Sequence, residues 1–159
     1  MNHPRIRIMG AALAACLVFL SGCDLATSPS EASLAGYWIS IYGDGFELSG
    51  NTDDGFCYTQ YDDPDRNVSF AGIVGNSPDF DAPTGYIIIL VTNGGSWGKT
   101  AGTCVAVHWK DLSGSLVAAA SAYKTGSPYN DGMPTIAGAM AEYTVENGYY
   151  GYYGEYEKQ

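Results

Sequence analysis

The chain has 159 residues, 46% of them hydrophobic, 13% aromatic and only 15% charged, with 21 glycines, four cysteines and a formal net charge of -10. These values fit one globular domain with an appendage, and they exclude collagen, a long coiled coil and an acidic disordered tail, which would carry fewer aromatics. Seven Lys and Arg against 17 Asp and Glu, with the basic residues scattered singly, provide no stripe for phosphate, so no nucleic-acid partner is expected.

The first element in chain order is an address. Residues 1–22 begin with Arg5 and Arg7, and Ile8 to Leu20 form a 13-residue apolar run. That is short of the roughly 20 residues a membrane-spanning helix needs and suits an export signal. The run ends in Leu20-Ser21-Gly22-Cys23, which resembles the lipobox of bacterial lipoproteins: an aliphatic residue, two small ones and a cysteine. The resemblance implies cleavage before Cys23, a diacylglycerol on its sulfur and an acyl chain on its amine, enough to make membrane attachment stable where a single chain would not. The competing readings are an ordinary secretory signal, for which no A-x-A cleavage site follows, and an N-terminal membrane anchor with an incidental cysteine. Asp24 resembles an inner-membrane retention signal of enteric bacteria, but sorting rules differ between lineages. The expected location is therefore the cell membrane or the outer membrane, with the domain in the periplasm or at the cell surface. Residues 23–34, rich in Ser, Ala and Thr, read as a lipidated flexible tether, in which roughly ten residues reach at most about 35 Å. The mature 137 residues hold 5 basic and 17 acidic side chains, a net charge of -12, which keeps the domain off an anionic leaflet.

Residues 35–159 read as one β-domain. Asp44-Gly45, Asp54-Gly55, Asn93-Gly94, Asp131-Gly132 and Asn147-Gly148 lie among β-branched and aromatic runs, the strongest local signal for hairpins. Strands are expected at about 35–42, 45–49, 55–61, 67–74, 86–93, 102–110, 115–123 and 149–157; the alanine-rich seventh segment could instead form a short helix. Alternation places Val105, Val107 and Trp109 on one face of the sixth strand and Cys104, Ala106, His108 and Lys110 on the other. Val68, Phe70 and Val74 share a face of the fourth. The fifth, Tyr86 to Val91, is apolar on both faces and needs a cover. Ile136, Ala139, Met140 and Tyr143 at i, i+3, i+4 and i+7, behind Thr135 as N-cap, supply a helix for that purpose, weakened by Gly138. The expected fold is mainly β: a single antiparallel barrel or sandwich of about eight short strands, with one short helix before the last.

Two resemblances follow from these segments. Gly36-Tyr37-Trp38 is similar to the G-x-W that opens lipocalins, which implies a closed barrel around a ligand; the arginine that packs over that tryptophan is missing, Arg66 being the only arginine of the mature chain. Residues 36–47 and 106–112 are similar to stretches of short spirochaete-type lipoproteins, a resemblance that implies no activity.

Cys57 and Cys104 remain once Cys16 leaves with the signal and Cys23 is lipidated. In an oxidising compartment such a pair is expected to form one disulfide, the alternative being two buried free thiols. No cofactor and no metal are expected: no C-x-x-C occurs, and His108 is the only mature histidine. The turn holding Asp62, Asp63 and Asp65 starts with calcium-loop spacing but lacks the required Gly and Glu, having Val68 and Val74 there. A solvated acidic turn explains it better than an improvised Ca²⁺ site, and the same holds for Asp79 and Asp81. Gly94-Gly95-Ser96-Trp97-Gly98 matches G-x-S-x-G, yet it leads into another β segment instead of the helix a nucleophile elbow requires. Cys104 and His108, four residues apart on one strand, stand about 13 Å from each other, too far for proton transfer.

The aromatics are the remaining signal. Tyr149, Tyr150, Tyr152, Tyr153 and Tyr156 crowd the last segment between Gly148, Gly151 and Gly154. Tyr150, Tyr152 and Tyr156 suit the core, whereas Trp38, Trp97, Trp109, Tyr149 and Tyr153 are the candidate ligand contacts, flat apolar bodies with polar edges. The function expected is a non-catalytic, membrane-anchored domain that binds a small apolar or carbohydrate ligand or a protein; the alternative is a structural or interaction lipoprotein of the cell envelope with a filled core.

Overall fold

In the computed structural model, residues 33–159 are described; the signal, the lipobox, Cys23 and most of the tether lie outside the described residues. Eight strands follow one another as antiparallel neighbours: β1 (Gly36–Ser40), β2 (Gly45–Asn51), β3 (Gly55–Tyr61), β4 (Val68–Val74), β5 (Gly85–Asn93), β6 (Cys104–Ser113), β7 (Leu116–Ser121) and β8 (Gly154–Lys158). β8 pairs with β1 through Trp38 with Lys158 and Ser40 with Tyr156, so the sheet closes into a barrel and leaves no edge. A single helix, α1 (Ile136–Glu142), lies in the long connection before β8.

Alternation sorts the side chains into two apolar layers. Trp38, Phe46, Leu48, Tyr58, Phe70, Ile87, Ile89, Val91, Val105, Val107, Trp109, Val117 and Ala119 point inward and form the barrel core. Trp38, Phe46, Tyr58 and Phe70 sit on four successive strands, and their rings stack from one strand to the next at centroid distances of 6.0, 5.7 and 5.7 Å. The second layer is outside the barrel, where Ile88, Cys104, Ala106 and Ala120 are covered by Ala139 and Tyr143 of the helical segment and by Tyr149 and Tyr150. This is why β5 is apolar on both faces. Thr135 caps α1 as the sequence implies, its hydroxyl accepting from Gly138 N at 3.0 Å.

The structure departs from the sequence reading in several places. Residues 149–153 are not strand: Tyr149 and Tyr150 are buried in the outer layer, and β8 starts only at Gly154, where the chain rejoins β1. The alanine-rich segment is a strand, because its two faces meet the two layers, Val117 and Ala119 inside and Ala120 outside. Met140 is 56% exposed, leaving Ile136, Ala139 and Tyr143 to make the helix contact. Asp131-Gly132 and Asn147-Gly148 fall within the β7–β8 connection and close no hairpin. The expected disulfide is also absent: Cys57 is exposed on β3, Cys104 is buried on β6, and both are free. Three strand spacings separate β3 from β6, roughly 14 Å, where a disulfide needs Cα atoms within about 7 Å.

Candidate functional site

The two ends of the barrel differ. At one end the chain enters through Leu34, whose amide donates to Phe80 O at 2.8 Å and whose carbonyl accepts the Trp38 indole N–H at 2.8 Å. Phe80 packs on Phe56 and Trp109 with centroids 4.6 and 6.4 Å apart, and the Trp109 indole donates to Ala82 O at 3.0 Å. Leu34 and the loop around Phe80 thus plug this end, and both buried indoles have their N–H groups satisfied by the plug.

The opposite end is open. A cavity of about 890 Å³ enters the barrel between the β1–β2 turn, the β5–β6 loop and the β7–β8 connection. Its volume lies within the range of small-molecule sites, roughly 300–1,000 Å³. The cause is an uneven distribution of bulk. The stacked rings fill the β1–β4 side, whereas β7 and β8 present Ala119, Ser121 and Gly154 to the same space. Gly154 is required there, since a Cβ would come within 2.9 Å of the Tyr156 ring.

Polar groups from β8, β1, the β1–β2 turn and β3 meet on one side of this cavity. Tyr58 donates to Gln60 Oε1 at 2.6 Å, and Gln60 Nε2 donates to Gly45 O at 3.0 Å. The Asp44 carboxylate accepts hydrogen bonds from the Ser40 hydroxyl and, at 3.3 Å, from Tyr156 Oη. Burial, followed by the charge of Asp44 and the hydrogen bond to it, raises the Tyr156 pKa far above the ordinary phenol value; burial and the neighbouring Tyr156 do the same to Tyr58. Both phenols therefore remain proton donors over the physiological range.

The β5–β6 loop carries Trp97 to the mouth, where its ring lies 5.6 Å from Phe70. Asp62 holds it, accepting hydrogen bonds from Ser69 Oγ at 2.5 Å, from Trp97 Nε1 at 2.6 Å and from Ser96 Oγ. Burial works to raise the Asp62 pKa, but these three donors outweigh it and keep the carboxyl below its usual value. The G-x-S-x-G match is explained by the same contacts. Gly95 has φ 54° and a Cβ there would lie 2.2 Å from Ser69 O, so glycine alone lets Ser96 N and Trp97 N reach Val68 O and Ser69 O, each at 3.1 Å. Ser96 serves as a clamp, with its hydroxyl committed to a carboxylate.

Of the residues singled out by sequence, Trp97 and Tyr153 line the cavity, while Trp38 and Trp109 are core residues of the plugged half and Tyr149 is buried against Tyr143 in the outer layer. Tyr156 faces the barrel interior; Tyr152 is 81% exposed at the rim. Asp63 is occupied by Asn67, and among the described residues no group of three His, Cys, Asp or Glu side chains converges on a common point. Ser40, Asp44, Tyr58, Gln60 and Tyr156 were not singled out as ligand contacts. The available signal was Gln60 alternating with Tyr58 and Ser40 alternating with Trp38, polar residues on an inward face. Comparison of the chain with family models, with curated proteins and with solved structures finds no match.

Proposed function

We propose that this protein is a lipid-anchored, exported, non-catalytic binding protein whose ligand enters the open end of a lipocalin-like barrel. The observation that carries this reading is the cavity of about 890 Å³, walled by aromatic rings on one side and small side chains on the other, with hydrogen-bonded polar groups in its lining. The anchor rests on the lipobox resemblance at Cys23. β1 runs from the plugged end, next to Leu34, toward Ser40 at the cavity, so a tether ending at residue 34 attaches the barrel by its closed end and turns the mouth away from the membrane. A non-catalytic role is supported by the commitments of the reactive groups: Ser96 to Asp62, His108 to Tyr153 and Thr84, and Cys104 to the buried outer layer.

Two measurements test the reading. Intrinsic fluorescence of the protein, titrated with panels of small apolar, carbohydrate and lipid compounds, should respond to at least one class, and Ala119→Leu, which narrows the cavity where Ala119 faces Phe46 and Tyr58, should weaken the response. Silence across the panels, or a response that Ala119→Leu leaves intact, counts against the pocket. Substituting Cys23 with Ala should abolish palmitate labelling, and persistent labelling would remove the anchor. A second reading, a docking surface for a protein, is favoured by the rim itself, where Ile41, Tyr42 and Tyr152 are 91%, 80% and 81% exposed.

A further inference from the structure

The chemistry of the cavity narrows its ligand, provided that it is a ligand site as argued above. Its charged lining groups are three carboxylates, Asp44, Asp131 and Glu155, and one ammonium, Lys99. Lys99 is turned to the Asn130 carbonyl at 2.5 Å, half-buried and beside Asp131. Asp44, the last residue of the β1–β2 turn, is half-buried and hydrogen-bonded to Ser40 and Tyr156.

Donors and acceptors are unequally available around Asp44. The O–H groups of Ser40 and Tyr156 go to Asp44, that of Tyr58 goes to Gln60, and the Gln60 amide goes to Gly45 O. A group that accepts hydrogen bonds thus meets hydroxyls that are already committed. A carboxylate has roughly four acceptor positions, and two hydroxyls leave Asp44 room for a donor arriving from the cavity. The surrounding rings of Phe46, Tyr58 and Tyr156 present π faces and edges in a partly desolvated space, where a cation gains and an anion loses.

We propose that the ligand is a free organic cation, an amine or quaternary ammonium on a compact apolar body, held by Asp44 and the aromatic wall of the cavity. A lipid headgroup could carry the same ammonium, but its phosphate would bring negative charge beside Asp44, Asp131 and Glu155.

The test uses the full-length protein in detergent, titrated calorimetrically with empty-micelle titrations subtracted. The probes are benzyltrimethylammonium, benzyl alcohol, benzylsulfonate and phosphocholine. Benzyltrimethylammonium is expected to bind about tenfold or more tightly than the other three, the difference a cation–π contact with a neighbouring carboxylate supports. Asp44→Asn should weaken it by about tenfold, and Ala119→Leu, which narrows the cavity, should weaken it as well. Equal or tighter binding of the alcohol or the sulfonate, weakened by Ala119→Leu, overturns the cation and leaves the pocket standing. Equal or tighter binding of phosphocholine overturns the free amine in favour of a headgroup. Unchanged benzyltrimethylammonium affinity in Asp44→Asn removes the carboxylate from the site. If no probe gives binding that Ala119→Leu alters, the cation and the pocket fail together.

Discussion

Lys158 lies opposite Trp38 in the β1–β8 register, with its ammonium 5.4 Å from the indole ring and donating to Ser33 O at 2.9 Å. It therefore ties the last strand to the chain entry and covers one of the two buried indoles of the plugged end. Lys158→Met keeps the aliphatic stem but removes the cation–π contact and the hydrogen bond, and should cost about 1–2 kcal/mol in urea unfolding. Lys158→Arg should recover most of that loss; equal stability of all three proteins would show that the contact is idle. A search of the sequence for an arginine over Trp38 misses this residue, because the physical requirement is a cation with a flexible stem at that register, which a lysine also meets.

At the level of elements, α1 has seven residues, fewer than the roughly 12–15 an isolated helix needs in water. Its ends are held from outside: Thr135 caps Gly138 N, and the Asn147 side chain donates to Ala141 O and Glu142 O at 3.2 and 2.7 Å. Thr135→Ala should destabilise the outer layer by about 1 kcal/mol. Cys104, buried beneath that layer, reports the opening: its alkylation in the native protein should accelerate by roughly fivefold, while Cys57, already exposed, should label at an unchanged rate. An unaltered Cys104 rate would mean that packing alone secures the helix. The approximate places of most strands, the helix and its cap were legible in the sequence because each depends on spacing within a few residues. Thr135 before Ile136, Ala139 and Tyr143 is such a pattern, as is the doubly apolar β5. The start of β8 was not legible, since Tyr149 and Tyr150 leave the strand for a surface created by β5, β6 and β7. The pairing of Cys57 with Cys104 depended on how many strands separate them around the barrel, which no local pattern encodes. The cavity was hidden for a related reason. It arises from Ala119 and Gly154 facing Phe46 and Tyr58 across the barrel, a size contrast between distant segments.

Across the whole molecule, the barrel core and the outer layer are built back to back on β5, β6 and β7, so stability is shared between an inner layer without ionisable bases and an outer one that contains His108. His108 lies among Tyr86, Tyr150 and Tyr153 with ring centroids 4.4, 5.3 and 5.6 Å away, its Nδ1 2.7 Å from Tyr153 Oη and its Nε2 3.3 Å from Thr84 Oγ1. Burial, then the nearby Lys110 ammonium, lowers its pKa, and Glu146 opposes them only in part. The unfolded chain, with an ordinary imidazole near 6.5, then binds a proton at a pH where the folded chain does not. The contribution is thus fully present above the unfolded value and is lost as pH falls toward the folded one. Urea midpoints should accordingly decline between pH 7 and pH 5, and His108→Gln should flatten that decline. Asp62 and Asp63 do not imitate the effect, because both are held below the usual carboxylate value and release their hydrogen bonds only in stronger acid. His3, the only other histidine of the chain, lies outside the described residues, so a decline of the same slope in wild type and His108→Gln would place the acid sensitivity outside the outer layer altogether.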